Sequence, residues 1–393
     1  MIFKEYDLIT KDKIPAQAFN DLKKFASYEE NYQFIDVARG GNALRLKNYV
    51  GTIVTKDGTV IEILPKIYGS EDNVLETKNI LLKMLKTLKK SPFKNINKAS
   101  LQTVDINIFE IFIAMFIEEL TELIRKGIKA DYLSMEENSS YLKGKIKLTS
   151  HLRHNLLNKE RFYIEFDEYS SNRVENKLIK TTLLKLYQVS KSLNNKQKLR
   201  EFIFIFDDVE DSKNINDDFR KCKHDRSMFY YEEILSWCKI FLNNESFCPY
   251  KGDNIAHALL FDMNVLFESY VAHFFKRSFQ HREVKTQDKK YKLLESSKLF
   301  QLKPDIVIDN KIVLDTKWKI IDSRKNSMNI SQSDLYQMYA YGKKYDSTDV
   351  YLIYPKSEYF NQSSDKPNWY DESLNLHILC FDCLNTDKNH FII

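Results

Sequence analysis

Glycine and proline are scarce in this chain: nine and seven among 393 residues. Their scarcity excludes collagen-like, linker-rich and low-complexity architectures. With 43% of residues hydrophobic, two or three domains with sizeable cores are expected. Cysteine is rare too. The five present (Cys222, Cys238, Cys248, Cys380 and Cys383) are an odd number. The stretch Met1 to Thr10 carries acids early and lacks the cationic start and apolar core of a secretion signal. A reducing cytoplasm is the expected setting. Cys380 and Cys383 have no second pair at matching spacing, so they read as packed strand residues and not as a zinc site.

Long apolar runs are missing. The most apolar segment, Ile106 to Gly127, is interrupted by Glu110, Glu118 and Glu119, short of the roughly 20 residues a membrane span needs. It reads as a buried helix ending at Gly127, with Arg125 and Lys126 in its last turn, where the helix dipole favours cations. No Gly-x-x-x-x-Gly-Lys-Ser/Thr occurs, because Gly144-Lys145 lacks the earlier glycine. The chain therefore has no nucleotide-driven motor of its own. Nor is one charge in large excess: at a net +5, any nucleic-acid surface must be a local patch.

What is present is concentrated between Lys303 and Ile321, "KPDIVIDNKIVLDTKWKII". Ile306 to Ile308 and Ile312 to Leu314 are aliphatic runs of strand length, and Asp309-Asn310-Lys311 between them is turn chemistry. A three-residue loop would set Ile308 opposite Ile312 and Asp305 opposite Asp315. Asp305, Asp315 and Lys317 would then share one face, whereas a shift of one residue would separate them. Two acids on one face call for a cation, and a divalent metal with oxygen ligands is the natural one. The lysine two residues on could hold or polarise a water, completing the parts for metal-assisted phosphodiester hydrolysis. The plain alternative is a solvated hairpin in a chain that is 29% charged. Acid-x-Lys triplets also occur at Asp21, Glu175 and Asp211, but without a preceding Pro-Asp and an aliphatic frame.

A Pro-Asp on one strand and Asp-x-Lys on the next resembles the PD-(D/E)xK nuclease fold. The strings "LLFDMNVLFESYVAHFF" (Leu259 to Phe275), "KPDIVI", "VLDTKWK" and "SQSDLYQMYAYGKKY" (Ser331 to Tyr345) are similar to the McrC family, nuclease subunits of McrBC-type modification-dependent restriction systems. Upstream, "GTIVTKDGTVIEILPKI", "YLKGKIKLTSHL" and "FDEYSSNRVENKLIK" also resemble it, so the likeness spans most of the chain. It implies a Mg²⁺-dependent endodeoxyribonuclease, or one using Mn²⁺ in its place. Asp305 and Asp315 would be metal ligands, Thr316 would lend its carbonyl, and Lys317 would act on the water. Glu268, on the helix entering the domain, would complete the metal site; the plain reading is a solvated helix acid, with Asp262 and Asn264 capping the helix start. Gln337 and Tyr341, four apart on a later helix, resemble a motif that supports the site and the DNA end in RecB-like nucleases. The plain reading there is a packed amphipathic face. Lys319 is a candidate phosphate contact, and Trp318 is read as packing.

The chain divides coarsely into a strand-rich region over residues 1–70, expected to dock the partner, a mostly helical region over 71–255, and a mixed sheet flanked by helices over 256–393, the expected PD-(D/E)xK nuclease domain. This is a mixed α+β class. Within it, "GTIVTKDGTVIEIL" predicts a hairpin turning at Lys56-Asp57-Gly58. Further strands are expected at Tyr141 to Leu148, Arg161 to Phe166 and Arg200 to Phe206. A helix is expected from Leu259 to Phe279, and irregular chain near Ser357 to Glu372. Lysine-rich runs such as Leu81 to Lys94 read as solvated helix faces or DNA contacts. The length upstream of the nuclease-like part points to a partner. The resemblance supplies it: an McrB-like AAA+ GTPase hexamer, contacted and stimulated through the N-terminal half, acting with double-stranded DNA that carries modified cytosine. Two other readings stand beside this one: a regulatory GTPase-activating subunit with a degenerate site, and a stand-alone nuclease of repair or defence.

Overall fold

The computed structural model describes residues 1–70, 73–88, 92, 107–223, 225–242, 255–294, 299–325, 327–363, 368–371 and 373–391. Cys248, Pro367 and part of the lysine-rich stretch 81–94 lie outside the described residues. Two compact units are formed, one from residues 1–111 together with 246–393, the other from residues 112–245. No helix among the described residues is long and apolar enough to cross a membrane.

Three sheets make up the first unit. One has the order β1 (Ile2–Lys4), β6 (Val60–Leu64), β5 (Tyr49–Thr55), β10 (Ile255–Asp262). The β5–β6 hairpin turns where expected: Gly58 adopts a positive φ of 78° and its N–H donates to Thr55 O at 2.9 Å. A second sheet orders β2 (Leu8–Thr10), β4 (Ala43–Leu46) and β3 (Ile35–Ala38). Helix α1 (Ala16–Phe25) seals these two, burying Phe19, Leu22 and Phe25 with Leu44, Ile53 and Leu260. Helix α2 (Val74–Thr87) starts at Asn73, whose side chain accepts from Glu76 N at 3.0 Å, as an N-cap should.

The third sheet has six strands in the order β11 (Val284–Thr286), β12 (Ile306–Ile308), β13 (Ile312–Thr316), β14 (Asp349–Pro355), β16 (Leu374–Phe381), β15 (Asn368–Asp371). It is mixed: β13, β14 and β16 run parallel, and the remaining pairs are antiparallel. Helix α10 (Gln332–Tyr345) buries Met338 and Tyr345 against Val313, Leu352 and Ile378. Helix α9 (Met263–Ser278) sets Phe267 5.9 Å from Phe381 and 5.2 Å from Trp318. Cys380 faces α10 and Phe381 alternates with it, so the two helices cover opposite faces.

The second unit contains α3 (Ile108–Lys126, its first residues in unit one), a sheet of β7 (Asp131–Ser139), β9 (Phe162–Ser170) and β8 (Lys145–Ile146), and helix α4 (Leu148–Asn155). Helices α5 (Val174–Val189), α6 (Leu193–Ile205), α7 (Ile215–Lys221) and α8 (Glu232–Leu242) follow. Phe116 meets Phe241 edge-on at 5.9 Å, and Trp237 stacks on Phe241. The polar string around Asn176 is structural here. Asn176 is fully buried, donates to Lys129 O and Ser171 O, and accepts from Tyr231 Oη.

Four elements differ from the sequence reading. Of the strand expected over Tyr141 to Leu148 only Lys145–Ile146 pairs, with β9, and Leu148 opens helix α4. Residues 200–206 end helix α6 instead of forming a strand: Leu199, Phe202 and Phe206 are buried at helical spacing while Phe204 is 81% exposed. The helix expected from Leu259 begins at Met263, because Ala258 to Phe261 are all buried in β10, which pairs with β5. Asp262 caps it by accepting from Asn264 N at 2.8 Å. Within the stretch expected to be irregular, Asn368–Asp371 pairs with β16.

Gly51 is the tightest point of the β5–β10 pairing. At φ 134° it lies where a Cβ would sit 1.9 Å from Leu259 O. Backbone cannot yield as a flexible side chain can. Gly51→Ala is therefore expected to destabilise the first unit by about 2 kcal/mol or more. Gly40→Ala, with open space around its Cβ position, should cost only about 1 kcal/mol. Urea unfolding of the two variants side by side checks the difference.

Glu5, 1% exposed, accepts from Trp318 Nε1 at 2.9 and 3.0 Å and from Lys66 N at 2.8 Å. Burial pushes its carboxyl up to about 7 from 4.5, with the Lys66 and Trp318 hydrogen bonds opposing in part. Between those pH values the folded state holds a proton that the unfolded state has lost. Stability should therefore fall as pH rises from about 4.5 to 7 and level off above. Glu5→Gln should flatten that slope, measured by unfolding midpoint against pH; a retained slope would refute the assignment.

Candidate active site

The hairpin forms in the anticipated register. Ile306 pairs with Leu314, Val307 with Val313 and Ile308 with Ile312. The turn is made by Asp309 and Asn310, both at positive φ, and Lys311 N donates back to Ile308 O at 3.1 Å. Asx residues tolerate that conformation, which explains why this loop closes in three residues. All six strand residues except Ile312 are fully buried, so the register is pinned from both faces.

Asp305 and Asp315 stand at the end of this frame. Asp305 Oδ2 accepts from Thr316 N at 2.8 Å and from Thr316 Oγ1 at 2.7 Å. Asp315 is 1% exposed. Burial and then the neighbouring Asp305 charge push its carboxyl up to about 7, against the pull of Lys317. Asp305 is also raised, by burial, despite the Thr316 hydrogen bonds and Lys317. Lys317 Nζ forms an ion pair with Asp315 Oδ2 at 2.5 Å. Burial alone would lower the Lys317 ammonium; the Asp315 carboxylate outweighs it and holds the ammonium above its usual range. Lys317 pulls both carboxyls down and Lys303 pulls Asp305 down, yet burial prevails and both stay raised.

Helix α10 braces the lysine. Gln337 Oε1 accepts from Lys317 Nζ at 3.0 Å, and Gln337 Nε2 donates to Tyr341 Oη at 2.8 Å. The four-residue spacing seen in the sequence becomes a relay from buried Tyr341 to Lys317. Lys319 is exposed and pairs with Asp334 at 2.8 Å, while Trp318 is buried against Phe267. Glu268 is half-buried on α9 and contacts Gln287, whose Nε2 also lies 3.5 Å from Asp305 Oδ1. Glu268 thus approaches Asp305 through an amide. Among the described residues no three His, Cys, Asp or Glu side chains are gathered around one point.

Gln287 is the residue that sequence reasoning missed. Its only signal was position: β11 pairs Thr286 with Ile306, so the next residue along falls opposite Asp305. Three-residue strands give too little alternation to be found in a sequence.

A cavity of about 590 Å³ opens beside Trp318 and Lys319, but none of Asp305, Asp315 and Lys317 lines it. Three of its lysines are paired with acids: Lys66 with Asp7, Lys319 with Asp334 and Lys356 with Asp382. The raised acid pair therefore lies apart from this cavity.

Residues 44–355 match the family model of the McrBC 5-methylcytosine restriction system component. A relative from Escherichia coli K12, the type IV methyl-directed restriction enzyme EcoKMcrBC, is 22% identical over 306 residues, 72% of this chain and 86% of the relative. Among solved structures, a half-complex of Thermococcus gammatolerans McrB AAA+ hexamers with bound McrC contains a chain matching all of this one and 96% of its own length. The TM-score is 0.70 at 18% identity. The T. gammatolerans McrBC complex contains a match to 71% of this chain and 88% of its own, with a TM-score of 0.50 and 18% identity. At such identities the structures speak for the fold, while the family model spans most of the sequence: the chain belongs to the McrC family of McrBC restriction-system components.

Proposed function

We propose that this chain is the metal-dependent endonuclease subunit of a modification-dependent, McrBC-like restriction system, with a PD-(D/E)xK site at Asp305, Asp315 and Lys317. The observation that carries the reading is the convergence of buried Asp315 and part-buried Asp305 on Lys317, whose Nζ lies 2.5 Å from Asp315 Oδ2, with both carboxyls held above their usual range. A hard cation suits that pair of acids, since one or two carboxylates are the usual protein share of a Mg²⁺ site. Asp305 and Asp315 would hold it, with the Thr316 carbonyl in reach along the strand. When bound, Mg²⁺ supplies charge stabilisation and a water of lowered pKa.

The chain's own residues supply the rest. Thr316 fixes one oxygen of Asp305 through two donors, and the other lies 3.5 Å from Gln287 Nε2. Lys317 has three N–H groups: one lies toward Asp315 and one is held by Gln337. The third is available to a water or a scissile phosphate oxygen. Lys319, exposed at the rim, can leave Asp334 for a flanking phosphate.

The double-stranded DNA partner, with modified cytosine, follows the family; so does an AAA+ GTPase partner of the kind that accompanies McrC in the Thermococcus assembly. Large apolar side chains are exposed along residues 132–169, Tyr132, Tyr141, Leu148, Leu152 and Leu157 among them, and along residues 1–70, Tyr6, Tyr32 and Val37 among them. Both stretches are candidate docking surfaces for the partner.

Lys317→Ala is expected to lower cleavage of modified plasmid roughly a hundredfold or more, as loss of one charge-stabilising group does, while GTP turnover by the partner persists. Asp305→Ala should abolish cleavage and leave the fold intact, since it relieves repulsion and opens no core cavity. A paired assay of GTP turnover and cleavage on one preparation decides: parallel loss of both makes Lys317 structural, and no loss removes it from the site.

The docking surface has its own test. Leu148 and Leu152 lie one turn apart on α4, at 69% and 61% exposure. The double change to Asp should abolish co-elution with the AAA+ partner and shift unfolding by no more than about 0.5 kcal/mol per site. Undiminished co-elution would move docking elsewhere.

A further inference from the structure

We infer that Gln287 is a positioning residue for the cleavage reaction: it orients the Asp305 carboxylate and couples Glu268 to it. The inference rests on the nuclease reading above. Gln287 follows β11 at φ +55°, a conformation that non-glycine residues adopt rarely and that needs support from surrounding structure. That support is here. Gln287 N donates to Asp305 O at 2.9 Å, continuing the β11–β12 ladder one step beyond Thr286 and Ile306. With the backbone so placed, the side-chain amide lies between two acids, contacting Glu268 Oε1 and standing 3.5 Å from Asp305 Oδ1.

The chemistry of the neighbours fixes the amide's orientation. Both are carboxylate oxygens, so the NH₂ must face them; the carbonyl there would meet only acceptors. Asp305 is then held from both sides: Oδ2 by Thr316 and Oδ1, more loosely, by Gln287. Glutamine is the residue type this place requires. A lysine or arginine would also bridge the acids, but it would cancel the negative charge that a cation needs. An amide supplies two donors and leaves that charge whole. Glu268 contributes by orienting Gln287, and its carboxylate adds to the local negative potential.

Gln287→Asn tests the side chain apart from the backbone, because asparagine tolerates positive φ but is one methylene too short to reach both acids. In the full-length chain, calorimetric titration with Mn²⁺ should show affinity weakened roughly 10- to 100-fold, the usual effect of losing a group that orients a metal ligand. Cleavage should need correspondingly more metal and recover in part at saturation, with GTP turnover of the AAA+ partner unchanged. Gln287→Met, of similar length but without donors, gives the same readout if the asparagine variant is unstable. Wild-type Mn²⁺ affinity and metal dependence in a folded variant would overturn the inference. Asp315→Asn in the same titration separates the two levels. If it abolishes binding while Gln287→Asn is silent, only the role of Gln287 fails; if Asp315→Asn binds and cleaves normally, the site reading itself fails.

Discussion

Two like charges are held out of water at the end of a hairpin, and the rest of the first unit is arranged around that cost. Isolated buried carboxylates protonate or move apart. Asp305 and Asp315 cannot move apart, because Ile306, Val307, Val313 and Leu314 fix the strands beside them with no exposure at all, so the strain appears as carboxyls that hold their protons more tightly. Both carboxyls are raised, so the folded chain carries an unfavourable element that the surrounding core offsets. Locally unfavourable choices that survive in a well-packed frame are characteristic of functional sites.

The groups that steady these charges are mostly neutral. Thr316 donates twice to Asp305, Gln337 holds Lys317, and Gln287 stands between Asp305 and Glu268. Lys317 brings positive charge to both carboxylates and Lys303 to Asp305, while Lys319 is turned to Asp334. Local potential at the carboxylates stays negative, which a phosphate diester alone would avoid. In the proposed reaction a divalent cation between acids and phosphate would resolve the conflict, in keeping with a modest net charge of +5.

Much of this was legible before any coordinates. The hairpin register followed from period-two alternation and an Asp-Asn turn, and the α10 relay from a spacing of four. What could not be read were pairings between distant segments. β10 looks like the start of a helix because Ala258 to Phe261 is uniformly apolar; its partner β5 lies some 200 residues earlier, and only the pairing makes it a strand. Residues 200–206 misled in the opposite way, since aromatic residues alternate there while the buried ones keep helical spacing. Gln287 was invisible because a strand of three residues carries no periodicity.

The same distant pairings decide how the site is supported. Read along the chain, residues 1–70 and 256–393 look like separate regions, yet they fold as one unit. Helix α9, which carries Glu268, begins at Asp262; that cap also accepts from Asn48 Nδ2 at 3.0 Å, and Met263 N donates to Asn48 O at 2.9 Å. Trp318, next to Lys317, is tied by its indole to Glu5. Each flank of the carboxylate pair is thus fastened to the N-terminal sheets through a hydrogen bond buried or half-buried in the unit. A displacement of those sheets would be felt at Glu268 and at Lys317 together, because neither has slack in a close-packed interior. The first seventy residues are therefore part of the site's scaffold, whatever else they contact.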